Sequence, residues 1–239
     1  MGYQTVFKRK EIKYLLSREQ QVRLLAAMEP YMALDQYGKT TIRNLYFDTD
    51  SYRLIRRSIE KPVYKEKLRI RSYQQAESET PVYVELKKKY RDTVYKRRLA
   101  LPWEQAMQWL TGECPRPVDT QIAREIEYFR QYYGEIRPKV FLSYDRMAYY
   151  CRQGGELRIT FDDNITCRQE DLSLGAPTGG VSLLSDSLVL MEIKTAGGIP
   201  LWLTHVLTQE KIYKASFSKY GTAYRTMIAM DNEIPGCRG

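Results

Sequence analysis

Three short segments of the sequence place a carboxylate and an amine two residues apart, with one apolar residue between them. They are Glu11-Ile12-Lys13, Glu85-Leu86-Lys87 and Glu192-Ile193-Lys194. Successive side chains of a strand point to opposite faces, so the Glu and the Lys of each segment share one face. Carboxylate oxygens bind Mg²⁺ and Mn²⁺, and these ions also take phosphate oxygens. The segments therefore predict strands that hold a metal-bound phosphate, with Glu11, Glu85 and Glu192 as candidate metal ligands.

Basic residues follow the same two-residue period elsewhere. In KLRIRSY at 67–73, the cations Lys67, Arg69 and Arg71 alternate with apolar or small residues. Further basic positions on charged faces are Arg9, Lys96, Arg98, Arg146 and Arg158. Any single strand could turn its charged face to water. If the apolar faces pack under helices, however, the charged faces look at one another. Unpaired buried cations cost on the order of several kcal/mol each, so such an interior needs an anionic ligand. A closed sheet of about eight strands has room for one ligand.

The overall charge also favours an anionic partner. The chain of 239 residues carries 38 Lys and Arg against 29 Asp and Glu, a formal net charge of +9. This excess fits nucleic acid, phosphorylated metabolites or an acidic membrane surface. The carboxylates among the cations argue against nucleic acid, because they repel a bare phosphate chain.

The length fits one large domain or two small ones, and a hydrophobic content of 43% allows a sizeable core.

Histidine and cysteine usage excludes several classes of metal site. The sole histidine, His205, rules out a multi-histidine site within one chain. The four cysteines, Cys114, Cys151, Cys167 and Cys237, show no CxxC or zinc-finger spacing. We expect reduced thiols and a cytoplasmic location, since we find no secretory signal. No stretch approaches the roughly 20 apolar residues of a transmembrane helix.

The hydrophobic periodicity predicts strands with helices inserted between them. The predicted strands are 6–16, 41–49, 63–73, 81–90, 93–101, 138–150, 156–162 and 188–195. The predicted helices are 18–29 with a Ser17/Gln20 capping box, 51–59 capped by Asp50, 102–112, 119–133 capped by Asp119, 200–210 and 219–230, and 170–187 is predicted to be a loop. Short gaps between strands favour antiparallel pairing. This predicts an α+β fold or a decorated barrel rather than a doubly wound sheet.

These segments resemble the VTC domain, the polyphosphate polymerase branch of the triphosphate tunnel metalloenzyme (CYTH-like) superfamily. The markers are RKEIKY (9–14), LYFDTDSYRL (45–54), KLRIRSY (67–73), VELKKK (84–89), VYKRRLAL (94–101), SYDRMAY (143–149), LRITFDDNI (157–165), LMEIKT (190–195) and FSKY (217–220). Each is weak alone, but nine in the family's order cover nearly the whole chain. The resemblance implies a single domain over 1–239, of a stand-alone bacterial type. Its implied fold is α+β, with a closed antiparallel β-barrel of about eight strands forming a tunnel decorated with helices.

The resemblance also implies an activity and its residues. The activity is phosphoryl transfer with Mn²⁺ or Mg²⁺, in which the γ-phosphate of ATP extends inorganic polyphosphate. The positions that match the family's basic catalytic residues are Lys13, Arg69, Arg71, Lys87, Lys96, Arg146, Arg158 and Lys219. Tyr144 and Ser218 match residues that hydrogen-bond the phosphate chain, and Glu192 matches the metal-binding carboxylate. From their place on the charged faces, further candidates for phosphate binding are Arg9, Arg98 and Lys194.

Two departures from the family pattern bear on this reading. The first strand has Arg9 where the superfamily usually has a Glu, which favours a single-metal site and weakens the triphosphatase reading. Near the end of the chain, Ser216 takes the place of a family Lys. Two alternatives follow: Lys214 replaces that lysine, or one phosphate contact is missing.

Three other functions stay open from the sequence. They are a hydrolase of triphosphate or nucleoside triphosphates, a non-catalytic polyphosphate or nucleotide sensor, and a nucleic-acid-binding sheet. The sequence also leaves open the product chain length, the preferred metal, the oligomeric state and any membrane protein that accepts the product. Expected small ligands are ATP, pyrophosphate, triphosphate and polyphosphate.

Overall fold

The computed structural model describes residues 6–7, 10–91 and 93–233, without the side chains of 6–7 and 229–233. The strands are β1 (Val6–Phe7), β2 (Lys10–Ser17), β3 (Met32–Asp48), β4 (Tyr64–Ser72), β5 (Pro81–Tyr90), β6 (Thr93–Pro102), β7 (Arg137–Cys151), β8 (Arg158–Arg168), β9 (Val181–Ser182) and β10 (Leu188–Thr195). The helices are α1 (Arg18–Met28), α2 (Arg53–Ile59), α3 (Trp103–Thr111), α4 (Gln121–Tyr133), α5 (Leu201–Gln209) and α6 (Lys219–Glu233). Each predicted strand and helix is present. The strands predicted over 81–90 and 188–195 have the predicted bounds, the other elements have shifted bounds, and β9 is a short addition within the predicted loop.

The strands form one antiparallel sheet, as the short connections predicted. The order is β1-β6-β5-β4-β3-β7-β8-β10-β2, with β9 paired to β8. This path is open, because within the described ranges no ladder joins β2 to β1 or β6. The predicted closed barrel of about eight strands is therefore corrected to an open sheet.

The open sheet is strongly curled. In the strand predicted over 6–16, β1 pairs with β6 and β2 pairs with β10, while residues 8 and 9 lie outside the described part of the chain. Consecutive parts of the chain thus form the two ends of the sheet. Side chains near these ends also meet, since Glu11 Oε2 on β2 lies 3.9 Å from Lys87 Nζ on β5. The curl turns the charged faces of the strands toward one another.

The helix caps are partly as predicted. At α1, the Ser17 hydroxyl accepts from the Gln20 amide while the Gln20 side chain accepts from the Ser17 amide, which is the predicted capping box. The prediction that Asp50 caps α2 is wrong. Asp48 accepts from the backbone amides of Leu54 and Ile55 at 2.8 and 3.0 Å, because it ends β3 beneath the helix N-terminus.

At α4 the cap lies one residue later than predicted. The Thr120 hydroxyl accepts from the Ala123 amide. The predicted cap, Asp119, instead accepts hydrogen bonds from Arg116 and Arg124 on the surface. Asp and Thr are both favoured N-cap residues, so the residue types alone do not show whether the helix is capped by Asp119 or by Thr120.

The strand β3 begins nine residues earlier than predicted. Its first half, MALDQYGKT, is mostly polar and pairs with the end of β7 through a register shift between Leu34 and Lys39. Gly38, with a φ of +59°, lies within this irregular part. Because the segment buries little and does not alternate cleanly, the hydrophobic pattern did not reveal it.

Three apolar clusters hold the helices against the sheet. One packs α3 and α4 against the outer face of β3, β4 and β5, and another packs α1 and α5 against the outer face of β2, β8 and β10. The third lies on the inner face, where Tyr220 and Ala223 of α6 contact Ile42, Leu142 and Leu190. Helix α6 therefore fills part of the concave side and leaves a charged cavity beside its N-terminus. In the described part of the chain, no helix is both long and apolar enough to cross a membrane.

Candidate active site

A cavity of about 460 Å³ lies on the concave side of the sheet. Its lining residues are Glu11, Lys13, Tyr46, Lys67, Arg69, Arg71, Glu85, Lys87, Val94, Lys96, Tyr144, Arg146, Glu192, Lys194, Ser218, Lys219 and Tyr220. Nine of these side chains are cationic and three are carboxylates. The charged faces that the sequence predicted to look at one another therefore do meet in space.

One side of the cavity, here called the carboxylate wall, comprises β2, β7, β8, β10 and the start of α6. Its centre is Glu192, which is 5% exposed. The cations within 4 Å of its carboxylate are Lys13 (3.0 Å), Arg146 (3.3 Å), Lys194 (3.4 Å) and Lys219 (3.4 Å). Burial opposes the charge of Glu192, but these cations hold its pKa well below the usual range. Glu192 is thus ionised and surrounded mainly by flexible lysines.

Asp162 positions two of these cations. It is fully buried on β8, accepts two hydrogen bonds from Arg146 at 2.5 and 2.7 Å, and accepts one from Lys219 at 2.5 Å. Burial favours neutral groups, yet the mutual attraction lowers the pKa of Asp162 and raises those of Arg146 and Lys219. Both cations therefore stay charged and fixed at the cavity surface.

The opposite side, here called the arginine wall, comprises β3, β4, β5 and β6. Its only carboxylate in the cavity lining is Glu85, which is 1% exposed. Its cationic partners are Arg69 (2.7 Å), Lys96 (2.7 Å), Arg98 (2.6 Å) and Arg71 (4.0 Å). Burial raises the pKa of Glu85, but the four cations hold it well below its usual range. The result is an ionised carboxylate on β5 that anchors cations on the two flanking strands, β4 and β6.

Polar side chains complete the positioning of the arginines. Arg69 donates to the Tyr46 hydroxyl at 2.9 Å. Arg71 donates to the Asn44 side-chain oxygen at 3.0 Å and to the Tyr144 hydroxyl at 3.1 Å. Burial raises the pKa of Tyr144, but Arg71 and the cations beyond it bring it below the usual value. These neutral partners hold the guanidinium groups of Arg69 and Arg71 in place without cancelling their positive charge.

The arrangement fits a divalent ion whose remaining ligands come from a substrate. Glu11 and Glu192 lie on neighbouring strands and share Lys13, whose Nζ is 3.6 and 3.0 Å from their oxygens. Over residues 10–91 and 93–233, no group of three or more His, Cys, Asp or Glu side chains is placed to hold a metal. Mg²⁺ commonly binds one or two carboxylates together with phosphate oxygens and water. The third predicted ligand, Glu85, lies among arginines and does not join the other two.

Most of the predicted site residues line the cavity, and among those that the structure describes two do not. Arg98 lies behind the lining, where it binds Glu85 and the Tyr73 hydroxyl. Arg158 is exposed, with its guanidinium 5.5 Å from the Tyr150 ring centre. Arg9 lies outside the described residues. The predicted replacement for the family lysine, Lys214, is exposed and is absent from the lining.

Lys67, Tyr46 and Tyr220 line the cavity but were not predicted as site residues. Asp162 was a weaker candidate from the sequence for binding metal or orienting water, and it instead positions Arg146 and Lys219. Lys67 shares the inner face of β4 with Arg69, and the two-residue period was sufficient to find it. Asp162 shares a face with Arg158, but nothing in the sequence indicates that it binds Lys219 from a distant helix. Tyr46 and Tyr220 stack at 4.5 Å between β3 and α6, a contact that only the fold creates.

Comparisons with solved structures support the fold. A proposed adenylate cyclase from Bacillus halodurans is 16% identical, with a TM-score of 0.56 over 90% of this chain and 96% of that one. A proposed adenylate cyclase from Vibrio parahaemolyticus is 11% identical, with a TM-score of 0.50 over 92% of this chain and 99% of that one. A search of curated proteins found no match. The sequence matches the VTC domain over residues 8–228, which is nearly its whole length. The chain therefore belongs to the VTC domain family, as the nine motifs indicated.

Proposed function

We propose that the protein transfers the γ-phosphoryl group of ATP to the end of an inorganic polyphosphate chain, with Mg²⁺ or Mn²⁺. The observation that carries this proposal is the cavity charge, in which nine cations face three carboxylates. Such a surplus in a partly enclosed space favours a ligand with many negative charges. Membership of the VTC domain family supports phosphoryl transfer as the chemistry.

The cations are held in place before any substrate binds. Glu85 fixes Arg69, Asn44 fixes Arg71 and Asp162 fixes Arg146. Donors that are already aimed at the charge developing in a transition state need no reorganisation during the reaction. The planar guanidinium also matches a phosphate with two parallel hydrogen bonds. These arginines therefore bind the donor and acceptor phosphates and orient them in line.

The reaction needs neither a covalent nucleophile nor a histidine base. The acceptor is a terminal phosphate that is already anionic near neutral pH, and the transition state is loose. An acceptor oxygen forms the new bond to the γ-phosphorus while the bond to the β–γ bridging oxygen breaks. ADP leaves with that electron pair, and Lys13 and Lys219 stabilise the charge on the transferring group.

The proposed metal ligands are Glu192 and Glu11. When bound there, a divalent ion supplies neutralisation of charge on phosphate oxygens. With Arg9 in place of another acidic residue and Glu85 turned to the arginine wall, a single ion is proposed. Lys13 and Lys194 can move toward phosphate when the carboxylates engage an ion, since lysine side chains are flexible.

The test is to incubate the pure protein with ATP and Mn²⁺, with and without a pyrophosphate primer. Products are separated on a polyacrylamide gel stained for polyphosphate, and free phosphate is assayed in parallel. A ladder of chains is expected. Free phosphate without chains would contradict polymerisation and make the protein a triphosphatase. Tight polyphosphate binding with neither product would make it a sensor.

A further inference from the structure

Four lysines extend the inner face of the arginine wall beyond the arginines. They are Lys65 and Lys67 on β4 and Lys87 and Lys89 on β5, here called the lysine row. The register places Lys67 directly opposite Lys87, and Lys65 directly opposite Lys89. Lys67 follows the inner face two residues from Arg69, a distance of about 7 Å along the strand. Lys67 and Lys87 line the cavity, and Lys65 and Lys89 continue the row on the same face of the strands beyond the lining.

The lysine row lacks the carboxylates that compensate the rest of the cavity. Among the described residues, Lys65, Lys67 and Lys89 form no ion pair, and Lys87 only approaches Glu11 at 3.9 Å. The Nζ of Lys67 donates to the Ser218 hydroxyl at 3.3 Å. Like charges placed opposite each other across a strand pair destabilise it. The arginines, by contrast, have Glu85 as a built-in counter-ion.

Among the lysines of the row, Lys67 shows the largest effect of burial and of the neighbouring positive charges on its pKa. The charged groups that face it are Lys65 and Arg69 on β4, Lys87 on β5 and Lys13 on β2, with the ring of Tyr220 on α6 at 6.0 Å. Burial and then these cations lower the pKa of Lys67 to about 7. Burial and its lysine neighbours also lower the pKa of Lys65. Without a polyanion, the row thus carries less charge at pH 8 than its composition suggests.

We propose that the lysine row binds the phosphate groups of a polyphosphate chain that lie beyond those held by the arginine wall. This inference rests on the proposed function and adds to it a preference for long chains. It also assigns the end of the cavity at which the chain extends. Lysines suit this task, because mobile point charges bind a sliding chain without fixing its register, whereas arginine forks fix each phosphate.

A proton should be taken up when the chain binds. Phosphate charges beside Lys67 favour its ammonium form and raise its pKa from about 7. At pH 8 the free side chain is mostly neutral, so binding draws in about one proton from the solvent. Affinity for long chains therefore increases as the pH falls from 9 toward 7. A row made only of permanently charged groups would show no such linkage.

The first test is a comparison of chain lengths by isothermal titration calorimetry. Long-chain polyphosphate and tripolyphosphate are titrated into the wild type, Lys67→Met and Lys67→Arg. We expect Lys67→Met to weaken long-chain binding about tenfold or more while changing tripolyphosphate binding less than about twofold. The Arg variant should restore long-chain affinity. An equal loss for both ligands, or no loss for the long chain, would overturn the proposal.

The matched control is Lys88→Met. Lys88 lies on the outer face of β5 and pairs with Glu125 at 3.6 Å, so its loss removes one charge without touching the cavity. Its affinity for both ligands should match that of the wild type. If Lys88→Met mimics Lys67→Met, total charge rather than the row explains the effect, and the proposal is wrong.

The second test measures proton uptake at pH 8 in buffers of different ionisation enthalpy. Proton uptake per bound chain should be larger in the wild type than in Lys67→Arg by about one proton, the share that Lys67 contributes. Unchanged uptake in Lys67→Arg would contradict the role of Lys67. Both tests measure binding alone. If both tests give the expected result but the protein forms no polyphosphate, the proposal for the lysine row stands and the proposed polymerase function is wrong.

Discussion

Glu85 and Glu192 occupy the same position of the same Glu-x-Lys motif, yet the sheet gives them different surroundings. Glu85 accepts short hydrogen bonds from Arg69 at 2.7 Å and Arg98 at 2.8 Å, on the two flanking strands. The lysines around Glu192 lie at 3.0–3.4 Å and come from β2, β10 and α6. An arginine fork fixes a carboxylate, whereas flexible lysines leave it accessible. The neighbouring strands, rather than the motif, therefore distinguish Glu85, which anchors arginines, from Glu192, the proposed metal ligand.

The largest expected effect is on turnover in Glu192→Gln. The amide keeps the shape but loses the charge that a divalent ion requires, so kcat should fall by more than about 100-fold. Mn²⁺ affinity, measured by calorimetry with tripolyphosphate present, should fall as well. Binding of long-chain polyphosphate without metal should persist. An active Glu192→Gln enzyme would remove Glu192 from the proposed metal site.

Glu85→Gln should mainly lower the stability of the fold, in contrast to the expected effect of Glu192→Gln on turnover. It leaves Arg69, Arg98 and Lys96 without their buried counter-ion, at a cost of about 3–5 kcal/mol in the free energy of unfolding. Urea unfolding measures this loss. Tripolyphosphate should restore much of the stability, because it supplies the missing negative charge.

The metal affinity of Glu85→Gln is the discriminating control. It should stay within about threefold of the wild-type value, since Glu85 does not join Glu11 and Glu192. A loss comparable to that of Glu192→Gln would show that Glu85 is a metal ligand after all. The two carboxylates would then differ in packing but not in function.

The pH dependence of stability tests the same pair without changing the cavity's shape. The folded pKa of Glu85 lies well below the unfolded value of 4.5. Its contribution to stability is therefore fully present above pH 4.5 and is lost as the pH falls toward the folded value. We expect the free energy of unfolding of the wild type to drop between pH 5 and 3. Glu85→Gln should drop less over this range, and an identical drop would contradict the buried ion pair.

Much of the fold was predictable, because local patterns specify it. The strand period, the Ser17 capping box and the short gaps gave the strands, the helices and their antiparallel pairing. The hydrophobic periods did not reveal that the sheet is open, because this depends on the different partners of β1 and β2, which pair with β6 and β10. The exposed start of β3 was missed because it buries too little to leave a hydrophobic pattern.

The site residues were predictable where they lie on the same face of a single strand. Alternation alone identifies Lys67, Arg69 and Arg71 as neighbours, although only the family resemblance selected the two arginines as site residues. Contacts between distant elements were not predictable. The pairing of Asp162 with Lys219 joins residues 57 positions apart, and the separation of Glu85 from Glu192 follows from register across several strands.

The smallest expected effect concerns two arginines that the family motifs place on equal terms. Arg146 binds Asp162 and faces the cavity, whereas Arg158 is exposed beside Tyr150. Arg146→Lys should lower kcat about tenfold, because a lysine keeps the charge but loses the bidentate fork. Arg158→Lys should change kcat and KM less than about twofold. An equal loss in both would mean that Arg158, at the start of β8, also contacts the bound chain, and the carboxylate wall would then extend beyond the cavity lining.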